Sequence, residues 1–195
     1  MLENRSLIWC LRQKKGIRIV NPNQNLLKEY LKKTKSSLNT MNAALQIKET
    51  DWILTTAYYA RYFALYDLLM KLGIKSEIHD CSIAIARLLA RNGILERNLV
   101  ADISKAKETR IDVQYYVTRE LEQEKIRRNV ESARKFVLEL EKTIESITTS
   151  QIKSVRNQLR RISSPTRSLG FFLSFIILTL TPHKFWLLVE SPYLC

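Results

Sequence analysis

The residues best suited to handle a phosphate stand together in Arg110-Ile111-Asp112-Val113-Gln114-Tyr115-Tyr116. An arginine presents a fixed fork of donors that fits two phosphate oxygens at once. Tyrosine adds ring faces on which bases stack and hydroxyls that hydrogen-bond. Arg110 and Tyr115 are one residue past the four-residue helical neighbour, so they border a common groove if the helix loosens near Val113. The competing reading of Arg110 is an ordinary ion pair, with Asp112 or Asp67 as its partner.

A second concentration lies earlier, where Tyr58, Tyr59, Tyr62, Phe63 and Tyr66 crowd one segment. His79 follows at an expected helix start beside Asp80, where capping or another structural role outweighs catalysis. The chain has no glycine-rich phosphate loop, no Ser-His-Asp arrangement and no metal-ligand spacing, and its two histidines, His79 and His183, are far apart. Hydrolase and metalloenzyme readings lose ground, and no metal or cofactor is expected.

The elements that must position these residues follow from composition. The 195-residue chain has room for one domain, and with only four Gly and four Pro among abundant Leu, Ile, Lys, Glu and Ala it favours helices over strands. Its 32 Lys and Arg against 19 Asp and Glu give a formal +13, spread along the chain, which attracts polyanions such as nucleic acid or an acidic membrane surface. Cys10, Cys81 and Cys195 lack paired spacing, and their odd number argues against a disulfide framework, so a reducing cytoplasm is expected. Arg12, Lys14 and Lys15 interrupt the first apolar run, which therefore lacks the order of an export signal.

Residues 1–23 read as an N-terminal strap, either a hairpin of two β-favouring runs or an opening helix and strap. Asn21-Pro22-Asn23 caps a first long helix with Leu27, Leu31, Thr34, Leu38, Met41 and Leu45 on one side. Thr50 and Asp51 cap a central helix to Leu72 that is apolar all round; Arg61 and Asp67 in its middle favour burial in a bundle over membrane spanning. Its surplus of rings points to a dimer face built from Tyr58, Tyr59, Tyr62, Phe63 and Tyr66. After Gly73 come a helix bearing Ile78, Cys81, Ile85 and Leu88, another from Asn98 to about Asp112, and a long one beginning near Thr118. The last carries a heptad stripe through Ile126, Val130, Ala133, Val137 and Leu140. Residues 148–163 form a short C-terminal helix, and 164–195 an atypical apolar tail. Its run Leu169–Leu180 falls short of the roughly 20 residues a spanning helix needs. The fold class expected is therefore all-α: an up-and-down antiparallel bundle of about five helices over residues 24–147, plus the short helix and the tail.

Three pieces occur in a telling order: Thr55-Thr56-Ala57-Tyr58-Tyr59-Ala60-Arg61-Tyr62-Phe63-Ala64, then Gly73-Ile74-Lys75 and His79, then Arg110-Ile111-Asp112-Val113-Gln114-Tyr115-Tyr116. This set resembles the HEPN family, in its archaeal and bacterial branch marked by an Ala-Tyr-Tyr-Ala helix, a following Gly and His, and a later Arg-x-Asp-x-x-Tyr. The resemblance implies a bundle that commonly dimerises, often pairs with a small nucleotidyltransferase, and in many members cuts RNA without a metal. The cutting members carry a His four to six residues after an Arg. Arg110 matches that Arg, but Tyr115 and Tyr116 occupy the window where the His belongs. Phenols, with an ordinary pKa of about 10, are poor bases near neutral pH.

The function expected is therefore a cytoplasmic HEPN-like binding module in a toxin-antitoxin-like setting. It engages RNA, a nucleotide or a nucleotidyltransferase partner through Arg110, Asp112, Tyr115 and Tyr116. An active metal-independent endoribonuclease toxin, with Arg110 as candidate catalytic residue, is the first alternative. A helical adaptor brought to a membrane by residues 169–189 is the second.

Overall fold

The structure, a computed structural model, describes residues 2–116 and 122–164, nearly all of them in the compact unit Met1–Ser163. The described elements are α1 (Leu2–Arg12), β1 (Arg18–Ile19), α2 (Gln24–Gln46), α3 (Thr50–Leu72), β2 (Ile74–Lys75), α4 (His79–Arg91), α5 (Arg97–Tyr115), α6 (Gln123–Ser146) and α7 (Thr149–Ser163). The two short strands pair antiparallel, Arg18 opposite Lys75 and Ile19 opposite Ile74.

Everything is arranged around α3. Apolar on all sides, it has no face to leave in water, and α2, α5 and α6 pack along it. Ile53, Leu54, Leu65, Leu68 and Leu69 are buried, each worth roughly 1.5–3 kcal/mol relative to exposure. The facing helices are one-sided: α6 buries Ile126, Val130, Ala133, Phe136, Val137 and Leu140 and turns its charged residues outward. Asn23 caps α2, its side-chain oxygen accepting the N–H groups of Asn25 and Leu26 at 3.0 and 3.1 Å. Thr50 and Asp51 lie inside α3, whose N-cap is Glu49 without a side-chain cap bond.

Gly73 ends α3 in the left-handed conformation, φ +64°, its N–H reaching the Met70 carbonyl at 3.0 Å. Arg156, arriving on α7, donates from Nη1 to the carbonyls of Val20, Leu72 and Gly73, each at 2.9 Å. One guanidinium thus satisfies carbonyls at the end of α3 and after β1.

Several expectations are corrected. Helices α2–α6 are the five expected over residues 24–147 and α7 is the short C-terminal one, α1 making seven among the described residues, but none of these is long and apolar enough to cross a membrane or to make the expected apolar tail. Residues 165–195, with the segment 169–189 assigned to membrane contact, lie outside the described residues, as does the expected start of α6 near Thr118. In the strap, the run Ser6–Leu11 belongs to α1, because Leu7 and Cys10 at helical spacing turn inward together. Cys10 and Cys81, expected as free thiols, are joined in a disulfide with Cα atoms 5.5 Å apart. The fold lays α1 against the first turn of α4, a pairing invisible at a sequence separation of 71. Of the five residues assigned to a dimer face, Tyr58, Tyr62 and Tyr66 are buried within the chain and Tyr59 and Phe63 are half-buried.

Candidate functional site

Tyr58 and Tyr62 are one turn apart on α3, so their rings sit on the same side, centroids 6.0 Å apart. His79, the first residue of α4, lies flat on Tyr62 with centroids 4.0 Å apart and planes 11° from parallel. Its Nδ1 is hydrogen-bonded to the Tyr58 hydroxyl. From α5, Arg110 sets its guanidinium carbon 6.0 Å from the Tyr58 ring centroid and 5.7 Å from that of Tyr59. Its Nη2 donates to the Tyr59 hydroxyl at 3.2 Å. Arg110 and His79 thus meet at Tyr58 from two different helices.

The placement of α5 depends on Arg61, buried in mid-α3. It donates to Asp102 of α5 through Nε and Nη2, at 2.7 and 3.3 Å, and to the Asn129 carbonyl of α6 at 3.0 Å. Ser132 adds a 2.8 Å bond to Asp102, which is half-buried, so the carboxylate that meets the buried Arg61 is itself held by a further hydrogen bond. Lys107 pairs with Asp80 and fastens α5 to the start of α4.

Burial raises the pKa of Tyr58 above the ordinary phenol value; Tyr62 adds to the effect and the Arg110 charge opposes it. Tyr62 is raised by burial too, against a hydrogen bond with Ser82. A phenol that holds its proton donates it, so His79 accepts at Nδ1 and its own ring proton sits on Nε2. Burial, followed by the charges of Arg110 and Lys107, lowers the His79 pKa, with Asp80 in opposition. The imidazole is therefore neutral near pH 7, with a donor on its far nitrogen.

Arg110 pairs neither with Asp112 nor with Asp67, nor with any other carboxylate among the described residues. Its Nε is buried without a hydrogen-bond partner. A guanidinium held on ring faces and lacking a carboxylate keeps donors for an anion. Among the described residues no three His, Cys, Asp or Glu side chains gather closely enough to hold a metal ion.

The remaining predicted residues stand apart from this cluster. Helix α5 does not loosen near Val113: it runs to Tyr115, and the Tyr116 N–H still reaches the Asp112 carbonyl at 3.0 Å. Five residues of unbroken helix put Tyr115 about 140° round the axis from Arg110. Tyr115 instead lines a separate cleft of about 390 Å³ with Trp52, Thr55 and Val113. Asp112 and Tyr116 are exposed. Sequence reasoning passed over His79 and the use of Tyr58 and Tyr59 as a platform for Arg110. The signal available was the order of the tyrosine pair, the glycine and the histidine.

A family model described as the HEPN domain matches residues 27–143, more than half of the chain. The chain belongs to the HEPN family. The match begins in α2 and ends in α6, so Tyr58, Tyr59, Tyr62, His79 and Arg110 all fall within the HEPN domain, while α1 and α7 lie outside it. Among curated proteins none matches this chain.

Proposed function

We propose that this HEPN domain binds phosphate groups of RNA or of a nucleotide at Arg110 and leaves RNA uncut. The observation that carries the reading is Arg110 itself, set over two tyrosine rings and without a carboxylate partner among the described residues. The Nε2–H of His79 is a second donor in the same cluster. Cleavage needs a group that takes a proton from the attacking hydroxyl. Tyr58 occupies Nδ1 of His79, and burial holds the protons on Tyr58 and Tyr62, so that role is unfilled.

A nucleotidyltransferase partner, in a toxin-antitoxin pair, fits a further observation. Tyr115 and Tyr116, 71% and 66% exposed at the end of α5, offer hydroxyls that such an enzyme can reach. Fluorescence anisotropy with a labelled single-stranded RNA tests the phosphate reading, with gel analysis of the same RNA and intact mass of the protein taken from its native host. Arg110→Ala is expected to keep the melting temperature and to weaken binding roughly 10- to 100-fold, the range for one charge-assisted hydrogen-bonding group. The RNA is expected to remain whole. Metal-independent cleavage that disappears in Arg110→Ala would establish the endoribonuclease instead, and unaltered binding would reduce Arg110 to a structural residue.

A further inference from the structure

A second basic site lies away from the tyrosine cluster, in a cleft of about 500 Å³ between the end of α4 and the beginning of α5. Arg87 and Arg91 of α4 and Arg97 of α5 line it together with Ala90, Val100 and Ala101, and no acidic side chain among the described residues takes part in the lining. Arg87 and Arg97 form no ion pair among the described residues, so their charges are not cancelled in place. Arginines grouped around a small apolar recess, on a chain of net charge +13, suit the phosphodiester backbone of a strand whose sugars rest on the apolar lining.

The two helices run antiparallel, as shown by Lys107 of α5 meeting Asp80 at the start of α4 while Arg97 shares the cleft with Arg87 and Arg91 near its end. The seam between them therefore leads from this cleft towards His79 and Arg110. Along α5 the axial distance from Arg97 to Arg110 is about 20 Å. We infer that the α4/α5 cleft is a second phosphate-binding site, gripping the backbone of the same RNA several nucleotides from Arg110. This rests on the RNA reading above. A membrane surface is the less suitable partner, because the charges converge on a recess instead of spreading over a flat face.

The test measures anisotropy of a labelled 12-nucleotide RNA against salt concentration for the full chain, Arg87→Gln/Arg97→Gln, the single Arg97→Gln and Arg110→Gln. Both cleft arginines keep solvent-exposed surface, so melting temperatures are expected to stay level. The double variant is expected to weaken binding about tenfold or more and to flatten the salt slope by about 1.4, at about 0.7 per lost phosphate contact; the single variant is expected to give half that flattening. Loss in Arg110→Gln with no change in either cleft variant overturns the cleft and leaves the Arg110 site standing. Loss in the cleft variants alone sinks the Arg110 reading and retains the cleft. Absence of RNA binding by the parent chain overturns both. Phosphatidylserine vesicles are the remaining arm: a double variant that releases vesicles while holding RNA assigns the cleft to a membrane and overturns the inference.

Discussion

Two arginines of this chain differ in what their donors meet. Arg61 is enclosed and bonded to Asp102 and Asn129, and its charge goes into holding three helices together. Arg110 rests on tyrosine faces without a carboxylate partner among the described residues, which is why it reads as a binding residue. His79 is not legible as its neighbour, because nothing in spacing links the first residue of α4 to the last turns of α5; only the packing of both on Tyr58 does. A second buried charge, Asp67, has an unbonded Oδ1, and burial, with Glu141 adding and Lys71 opposing, raises its pKa from 3.8 to about 6. The folded state thus holds the Asp67 proton more tightly than the unfolded chain, so the contribution of Asp67 to stability is greatest in acid and falls as pH rises from about 4 to about 6. Asp67→Asn removes that penalty and is expected to stabilise the protein by about 1–3 kcal/mol at pH 7, with a flatter profile below pH 6. Urea unfolding at pH 4, 5, 6 and 7 checks it; a variant less stable than the parent at pH 7, with the pH profile unchanged, contradicts the assignment.

At the scale of elements, legibility follows periodicity. The stripe of α6 and the all-round apolarity of α3 are long enough to fix their faces, and Asn23 and Gly73 mark ends by their chemistry. Helix α1 is only eleven residues long and its β-favouring residues give the opposite local signal; contact with α4 and α7 decides it. Helix α5 outruns its expected end near Asp112, because Val113 turns inward and carries the helix on to Tyr115. Gly73 is the most sensitive of these boundaries. A Cβ there would sit 2.6 Å from the Val20 carbonyl oxygen and would crowd Arg156, besides straining the left-handed backbone. Gly73→Ala is expected to destabilise by at least about 2 kcal/mol, read as a lower urea midpoint with an unchanged slope. A loss within about 0.5 kcal/mol would mean that Val20 and Arg156 move aside freely.

Across the whole molecule, one covalent link decides what local sequence could not. Cys10 and Cys81 close a loop over α1, α2 and α3, so the unfolded chain is restrained through its first half. Reduction is expected to lower stability by about 2–4 kcal/mol, the usual range for such a bridge. Unfolding in urea with and without dithiothreitol measures it, and the doubly substituted Cys10→Ser/Cys81→Ser protein is expected to match the reduced parent. Equal midpoints in both conditions would remove the bridge from the account of stability.

The bond from Arg156 to the Leu72 carbonyl spans 84 residues. On a ribosome the chain emerges from its N-terminus, and at about 5–20 residues per second this partner appears roughly 4–17 seconds after the carbonyl it serves. Until then the carbonyls of Leu72 and Val20 lack this donor, although α2, α5 and α6, which precede Arg156 in the chain, are already there to cover α3. The seal at the end of the central helix is therefore the last to form, and translation that stalls ahead of Arg156 leaves those carbonyls without their donor.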